Sequence, residues 1–127
     1  MMVQKILVVE DDPITAKLTA RLLQRAGYEV TVAHDAPEAL TFITEQRPDL
    51  IILDVMLPSM NGYEICRMLR SEADIKQPPI LMFTALDRPG DQRQGFQAGA
   101  DAYLTKPVHS QELLNQVRSL LFGNLVI

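Results

Sequence analysis

Leu50-Ile51-Ile52-Leu53-Asp54 decides the fold, together with the loop Val55-Met56-Leu57-Pro58-Ser59-Met60-Asn61-Gly62 that follows it. Four consecutive aliphatic residues predict a strand buried on both faces, as in a parallel sheet covered by helices. The run stops on a carboxylate, and proline, serine, asparagine and glycine punctuate what comes next. In open α/β sheets, ligands bind beyond the carboxyl ends of the strands. Asp54 therefore stands where such a protein does its chemistry. A lone aspartate at a strand end is more often a turn cap, so its neighbours in the fold decide its meaning.

Two other stretches, Ile6-Leu7-Val8-Val9 and Ile80-Leu81-Met82-Phe83, are also apolar runs, whereas residues 29–33 and 101–105 alternate. Each gap is long enough for the helical crossover that parallel strands require. Runs belong in the centre of a sheet and alternating strands at its wet edges. The expectation is an α/β, flavodoxin-like, doubly wound five-stranded parallel sheet of order 2-1-3-4-5 with five helices. In the first crossover Asp12-Pro13 reads as an N-cap and first helical residue. Ile14, Leu18, Leu22 and Ala26 supply its apolar face, and Gly27 ends it. Asp35 caps the second helix, with Leu40 and Ile43 inward. Ile65, Cys66 and Leu69 line the third, residues 90–98 form a weak fourth, and Leu113, Val117, Leu120 and Leu121 stripe the fifth. Met68 and Met82 are expected in the core.

The 127 residues suit one domain with a substantial core. A net charge of −4 offers no electrostatic footprint for nucleic acid or an anionic membrane. No apolar run approaches a membrane span and no signal-peptide pattern opens the chain, so the expected location is the cytoplasm. Cys66 is the single cysteine, which excludes an internal disulfide and suggests a buried thiol.

Glu10 and Asp11 follow the first central run as Asp54 follows the next, and adjacent parallel strands bring the three acids to one sheet edge. Carboxylates that close repel one another unless some protonate or a cation joins them. Oxygen ligands without histidine or cysteine suit a hard ion, and Mg²⁺ fits. Thr84 ends the third central run with a hydroxyl, and Lys106 follows the fifth strand with a positive charge. This set suits a transferring phosphoryl group, with Asp54 as nucleophile.

The chain resembles the receiver domain of two-component response regulators. The residues that carry the resemblance are Ile6-Leu7-Val8-Val9-Glu10-Asp11-Asp12, Leu53-Asp54-Val55-Met56-Leu57-Pro58, Asn61-Gly62, Phe83-Thr84-Ala85, Gly99-Ala100-Asp101 and Tyr103-Leu104-Thr105-Lys106-Pro107. The resemblance spans essentially residues 5–121. It implies that Asp54 takes a phosphoryl group from a sensor histidine kinase or phosphotransfer protein. It further implies Mg²⁺ bound by Asp11 directly, by Glu10 through water, by Asp54, and by the backbone carbonyl of Met56. Lys106, Thr84 and the Ala85 N–H would hold the phosphoryl oxygens, and the Lys106–Pro107 bond would be cis. Phosphorylation would draw Thr84 inward and let Tyr103 follow, altering the surface of the fourth helix, fifth strand and fifth helix for a downstream protein or output domain.

The match departs from the family at several positions. Ala102 and Gln116 stand where receivers joined to winged-helix DNA-binding domains usually carry an Asp and an Arg. That subfamily's charged dimer surface is therefore in doubt, and a monomer or a weak phosphorylation-dependent dimer is expected. Met56 and Leu86 flank Asp54 with apolar side chains that would hinder an attacking water. Residues 1–122 are expected to be the receiver domain and residues 123–127 a tail or linker stub. This domain is expected not to be an enzyme in its own right and to touch neither nucleic acid nor membrane. Competing readings are a docking-only degenerate receiver, a Mg²⁺-dependent phosphatase with an Asp nucleophile, and a flavodoxin-like FMN carrier. The phosphatase needs an acid where Met56 stands. The FMN carrier needs a phosphate-binding loop where Glu10-Asp11-Asp12 stand.

Overall fold

A computed structural model describes residues 3–72 and 77–123. The elements run β1 (Lys5–Val9), α1 (Pro13–Arg25), β2 (Glu29–Ala33), α2 (Ala36–Gln46), β3 (Leu50–Leu53), α3 (Gly62–Ser71), β4 (Ile80–Thr84), α4 (Pro89–Ala98), β5 (Ala102–Thr105) and α5 (Ser110–Phe122). All strand pairs are parallel and the order is β2-β1-β3-β4-β5. The three apolar runs occupy the centre and are buried throughout, while β2 and β5 keep partly exposed residues at the edges. Among the described residues, no helix is long and apolar enough to cross a membrane. Residues 124–127, most of the expected tail, lie outside the described residues.

Because side chains alternate along a strand, the sheet divides the core in two. Leu7, Val9, Ile51, Leu53 and Met82 join the inner faces of α2, α3 and α4, including Ile43, Ile65 and Leu69. Ile6, Val8, Ile52, Leu81 and Phe83 join Leu23 of α1 and Leu113 and Val117 of α5. Cys66 is fully buried, and burial pushes its thiol pKa up. The caps expected for α1 and α2 form, and Asn61, not assigned as a cap, does the same for α3. The Asp12 carboxylate accepts the Thr15 N–H at 3.0 Å, Asp35 accepts that of Glu38 at 2.9 Å, and Asn61 accepts that of Glu64 at 3.0 Å.

Three sequence expectations need correction. The buried face of α1 is Ala16, Thr19, Ala20 and Leu23, whereas Ile14 and Leu18 are 70% and 63% exposed. An unbroken i, i+4 series drifts ~40° per step around a helix. The i, i+3, i+4, i+7 set of smaller residues instead keeps one face and lets the helix lie close on the sheet. Met68, on the outer side of α3, is 42% exposed and not core. Asp101 belongs to the turn before β5, because its carboxylate accepts the Ile80 N–H and an Arg70 guanidinium N–H, each at 2.8 Å.

Candidate functional site

The register of β1 and β3 pairs Val9 with Leu53, so the residues that follow both strands emerge side by side. The Asp54 N–H donates to the Val9 carbonyl at 3.1 Å, and the Glu10 N–H to the Ala33 carbonyl at 2.9 Å. These bonds fix Glu10, Asp11 and Asp54 at the carboxyl edge of the sheet. One carboxylate oxygen from each lies within 4.8 Å of the others. Glu10 and Asp54 are buried and Asp11 is exposed.

Lys106 reaches the cluster from the far side. Its backbone N–H donates to the Thr84 carbonyl at 2.8 Å, which continues the β4–β5 ladder and aims the side chain back across the edge. The ammonium donates to Asp54 Oδ2 at 3.0 Å and to Glu10 Oε1, and lies 5.3 Å from the centre of the Phe83 ring. Burial pulls the lysine pKa down, but the hydrogen bonds and charges of Glu10 and Asp54 outweigh it, and the net shift is upward. For Glu10 burial is the larger effect: its pKa rises even though Lys106 and the Asp12 N–H both donate to it. Asp54 Oδ1 accepts the Met56 N–H at 3.0 Å. The Lys106–Pro107 peptide bond is cis.

Three carboxylates against one ammonium leave an excess of negative charge in a partly buried site. That donor set, all oxygen and open to solvent through Asp11, fits a hard divalent cation that keeps part of its water shell. Among the described residues, no buried side-chain nitrogen or oxygen lacks a hydrogen-bond partner.

Of the residues expected at the site, the structure brings Glu10, Asp11, Asp54 and Lys106 into one cluster. Thr84 closes β4 beside them and is fully buried, but its hydroxyl accepts the Leu86 N–H at 3.4 Å rather than facing a carboxylate. Ala85 is exposed next to it. Tyr103 lies inward, 8% exposed, with its hydroxyl donating to the Leu86 carbonyl at 2.9 Å. Leu86 is thus held at its N–H by Thr84 and at its carbonyl by Tyr103. Met56 exposes 53% of its surface beside Asp54, and Leu86 packs partly into the core.

The sequence reading gave no role at the site to Gly62, Phe83 or Tyr63. A Cβ on Gly62 would stand 2.4 Å from the Asp54 carbonyl oxygen, so only glycine lets α3 start there. Phe83 floors the lysine, and Tyr63 donates to the Asp91 carbonyl at 2.9 Å. An aromatic residue after a helix-opening Asn-Gly was visible; its partner, 28 residues further along the chain, was not.

The family model described as "Response regulator receiver domain" matches residues 6–118. The chain belongs to that family. As a receiver domain it is a regulatory, phospho-acceptor signalling module of two-component systems. It is 47% identical over 117 residues to the response regulator MprA of Mycobacterium avium, covering 92% of this chain and 50% of that protein. It is 43% identical over 121 residues to the DNA-binding response regulator MtrA of Mycolicibacterium smegmatis, covering 95% and 52%. This receiver domain therefore spans about half the length of the curated relatives it matches. The crystal structure of a putative response regulator from Chloroflexus aurantiacus superposes with a TM-score of 0.90 at 40% identity, over 94% of this chain and 98% of that one.

Proposed function

We propose that Asp54 is the phospho-acceptor, taking its phosphoryl group from a phosphohistidine on a sensor histidine kinase or phosphotransfer protein. The observation that carries this is the shared lysine: Lys106 bridges Asp54 and Glu10 at the edge where Asp11 stands open. An Asp54 carboxylate oxygen attacks phosphorus and the phosphorus–nitrogen bond breaks. The imidazole leaves with the electron pair and takes up a proton. Glu10, Asp11, the Asp54 carboxylate and the Met56 backbone carbonyl would hold Mg²⁺, which neutralises phosphoryl oxygens during transfer. Lys106 turns from Glu10 toward the new charge, and Thr84 and the Ala85 N–H supply further donors. Ile14 and Leu18, exposed beside a groove of about 470 Å³ that runs from α1 past Lys106 to α5, offer the phosphodonor protein an apolar surface.

As Thr84 moves to donate to the phosphoryl group, it shifts the oxygen that accepts the Leu86 N–H. Tyr103 keeps the Leu86 carbonyl, so the loop before α4 moves as the switch element. The altered surface of α4, β5 and α5 is read by a downstream protein or an output domain. The domain assists its own phosphorylation and dephosphorylation but turns over no other substrate. It acts in the cytoplasm as a monomer or a weak phosphorylation-dependent dimer. Its acidic balance argues that any DNA contact, of the kind named for the MtrA relative, belongs to a partner rather than to residues 1–122.

Intact mass after incubation with Mg²⁺ and a small-molecule phosphodonor tests this. One phosphoryl group is expected on the parent and none on Asp54→Asn. An equal adduct on both places the acceptor elsewhere. Met56→Asn and Leu86→Glu are expected to shorten the phosphoryl lifetime by admitting water; an unchanged decay rate removes the shielding role.

A further inference from the structure

Thr84 and Tyr103 grip the loop that leads into α4. A second route runs from Asp54 to the same helix by other residues. The Gly62 N–H donates to the Val55 carbonyl at 2.9 Å, and the missing Cβ at position 62 lets α3 rest on the Asp54 carbonyl oxygen. The first residue of α3 is therefore seated on the backbone of the acceptor itself. The next residue is Tyr63, 5% exposed, whose side chain crosses to α4 and donates to the Asp91 carbonyl at 2.9 Å.

Asp91 is not an isolated carbonyl. Its carboxylate accepts the Arg88 N–H at 3.1 Å, and its own N–H donates to the Arg88 carbonyl at 3.0 Å. The first turn of α4 is thus closed on itself, and a pull on Asp91 moves that turn as a body. One turn further on, a Cβ at Gly95 would lie 3.0 Å from the Tyr103 ring, so α4 also rides directly on that ring. The Tyr63 and Tyr103 hydroxyls are near enough to affect each other's ionisation, and burial pushes both phenols upward. The two tyrosines stand together under the helix, one tied to α3 and one to β5.

Resting on the phospho-acceptor reading of Asp54, we propose that Tyr63 is a positioning residue of the switch: its hydroxyl bond to the Asp91 carbonyl links α3, seated on Asp54, to the first turn of α4, alongside the hold of Thr84 and Tyr103 on the preceding loop. A space-filling tyrosine would need only its ring at this place. A linking tyrosine needs its oxygen.

Amide NMR shifts on adding Mg²⁺ and beryllofluoride, a tetrahedral stand-in for an aspartyl phosphoryl group, separate these roles. The Met56 amide, bonded to the Asp54 carboxylate, reports loading of the acceptor; the Asp91 and Gly95 amides report α4. In the parent both sets are expected to move. In Tyr63→Phe the Met56 amide is expected to move as before, while the α4 amides move less than half as far. A full α4 response in Tyr63→Phe overturns the link, as does loss of the Met56 response in that variant alone, which would make Tyr63 part of loading. No Met56 response in the parent overturns the phospho-acceptor reading and this inference with it.

Discussion

Gly62 shows how narrow the tolerance is around Asp54. Its added Cβ would meet the Asp54 carbonyl oxygen at 2.4 Å and the Val55 Cα at 2.9 Å, both backbone atoms that have little room to yield. Gly62→Ala is expected to destabilise the fold by about 1–3 kcal/mol, read as a lower urea midpoint, and to displace the acceptor. Charge matters as much as space at this edge. Mg²⁺ at ten times its dissociation constant is expected to raise stability by about 1.4 kcal/mol, seen as a higher melting temperature. Asp11→Asn should abolish that gain, because the exposed carboxylate is the one not already bonded to Lys106. The acids and the lysine were legible in the sequence because each follows a strand directly, where a parallel fold collects side chains. Tyr63 and Phe83 were not legible in these roles, because the groups they serve become neighbours only through tertiary contact.

Among the elements, α1 carries the sharpest lesson. Two helical stripes compete in its sequence, and hydrophobicity alone favours the larger residues at 14, 18 and 22. The fold buries the smaller set, because Ala16, Thr19 and Ala20 let the helix approach the sheet closely and Leu23 then fills the space beneath. Leu23→Ala is expected to cost about 2–5 kcal/mol, whereas Leu18→Ala should stay within about 0.5 kcal/mol. Equilibrium unfolding in urea distinguishes them, and equal losses would contradict this orientation. The helix ends were easier to read than the faces. Asp12 and Asp35 each cap the helix that the sequence assigned them, since capping depends on a hydrogen bond three residues away and on nothing distant; Asn61 caps α3 by the same local bond. Asn61→Ala is expected to lower stability by about 1 kcal/mol, again by urea unfolding.

For the whole molecule, strand order was legible because burial on two faces and on one face leave different patterns, and the five segments sort themselves accordingly. Cys66 offers a probe of that whole. It is fully buried in the core shared with α2 and α3, and burial holds its thiol in the unreactive protonated form. Reaction with an aromatic disulfide reagent is expected only through global opening, so each destabilisation of about 1.4 kcal/mol should speed labelling tenfold. Labelling at one rate in all variants would show a local opening instead. The division of the core by the sheet has a further consequence for how the domain can diversify. The α1 surface and the α4 surface rest on opposite halves of the interior. α5, by contrast, shares its half with α1, so a substitution beneath the α1 groove reaches the α5 edge of the proposed output surface and leaves its α4 edge on the far side of the sheet.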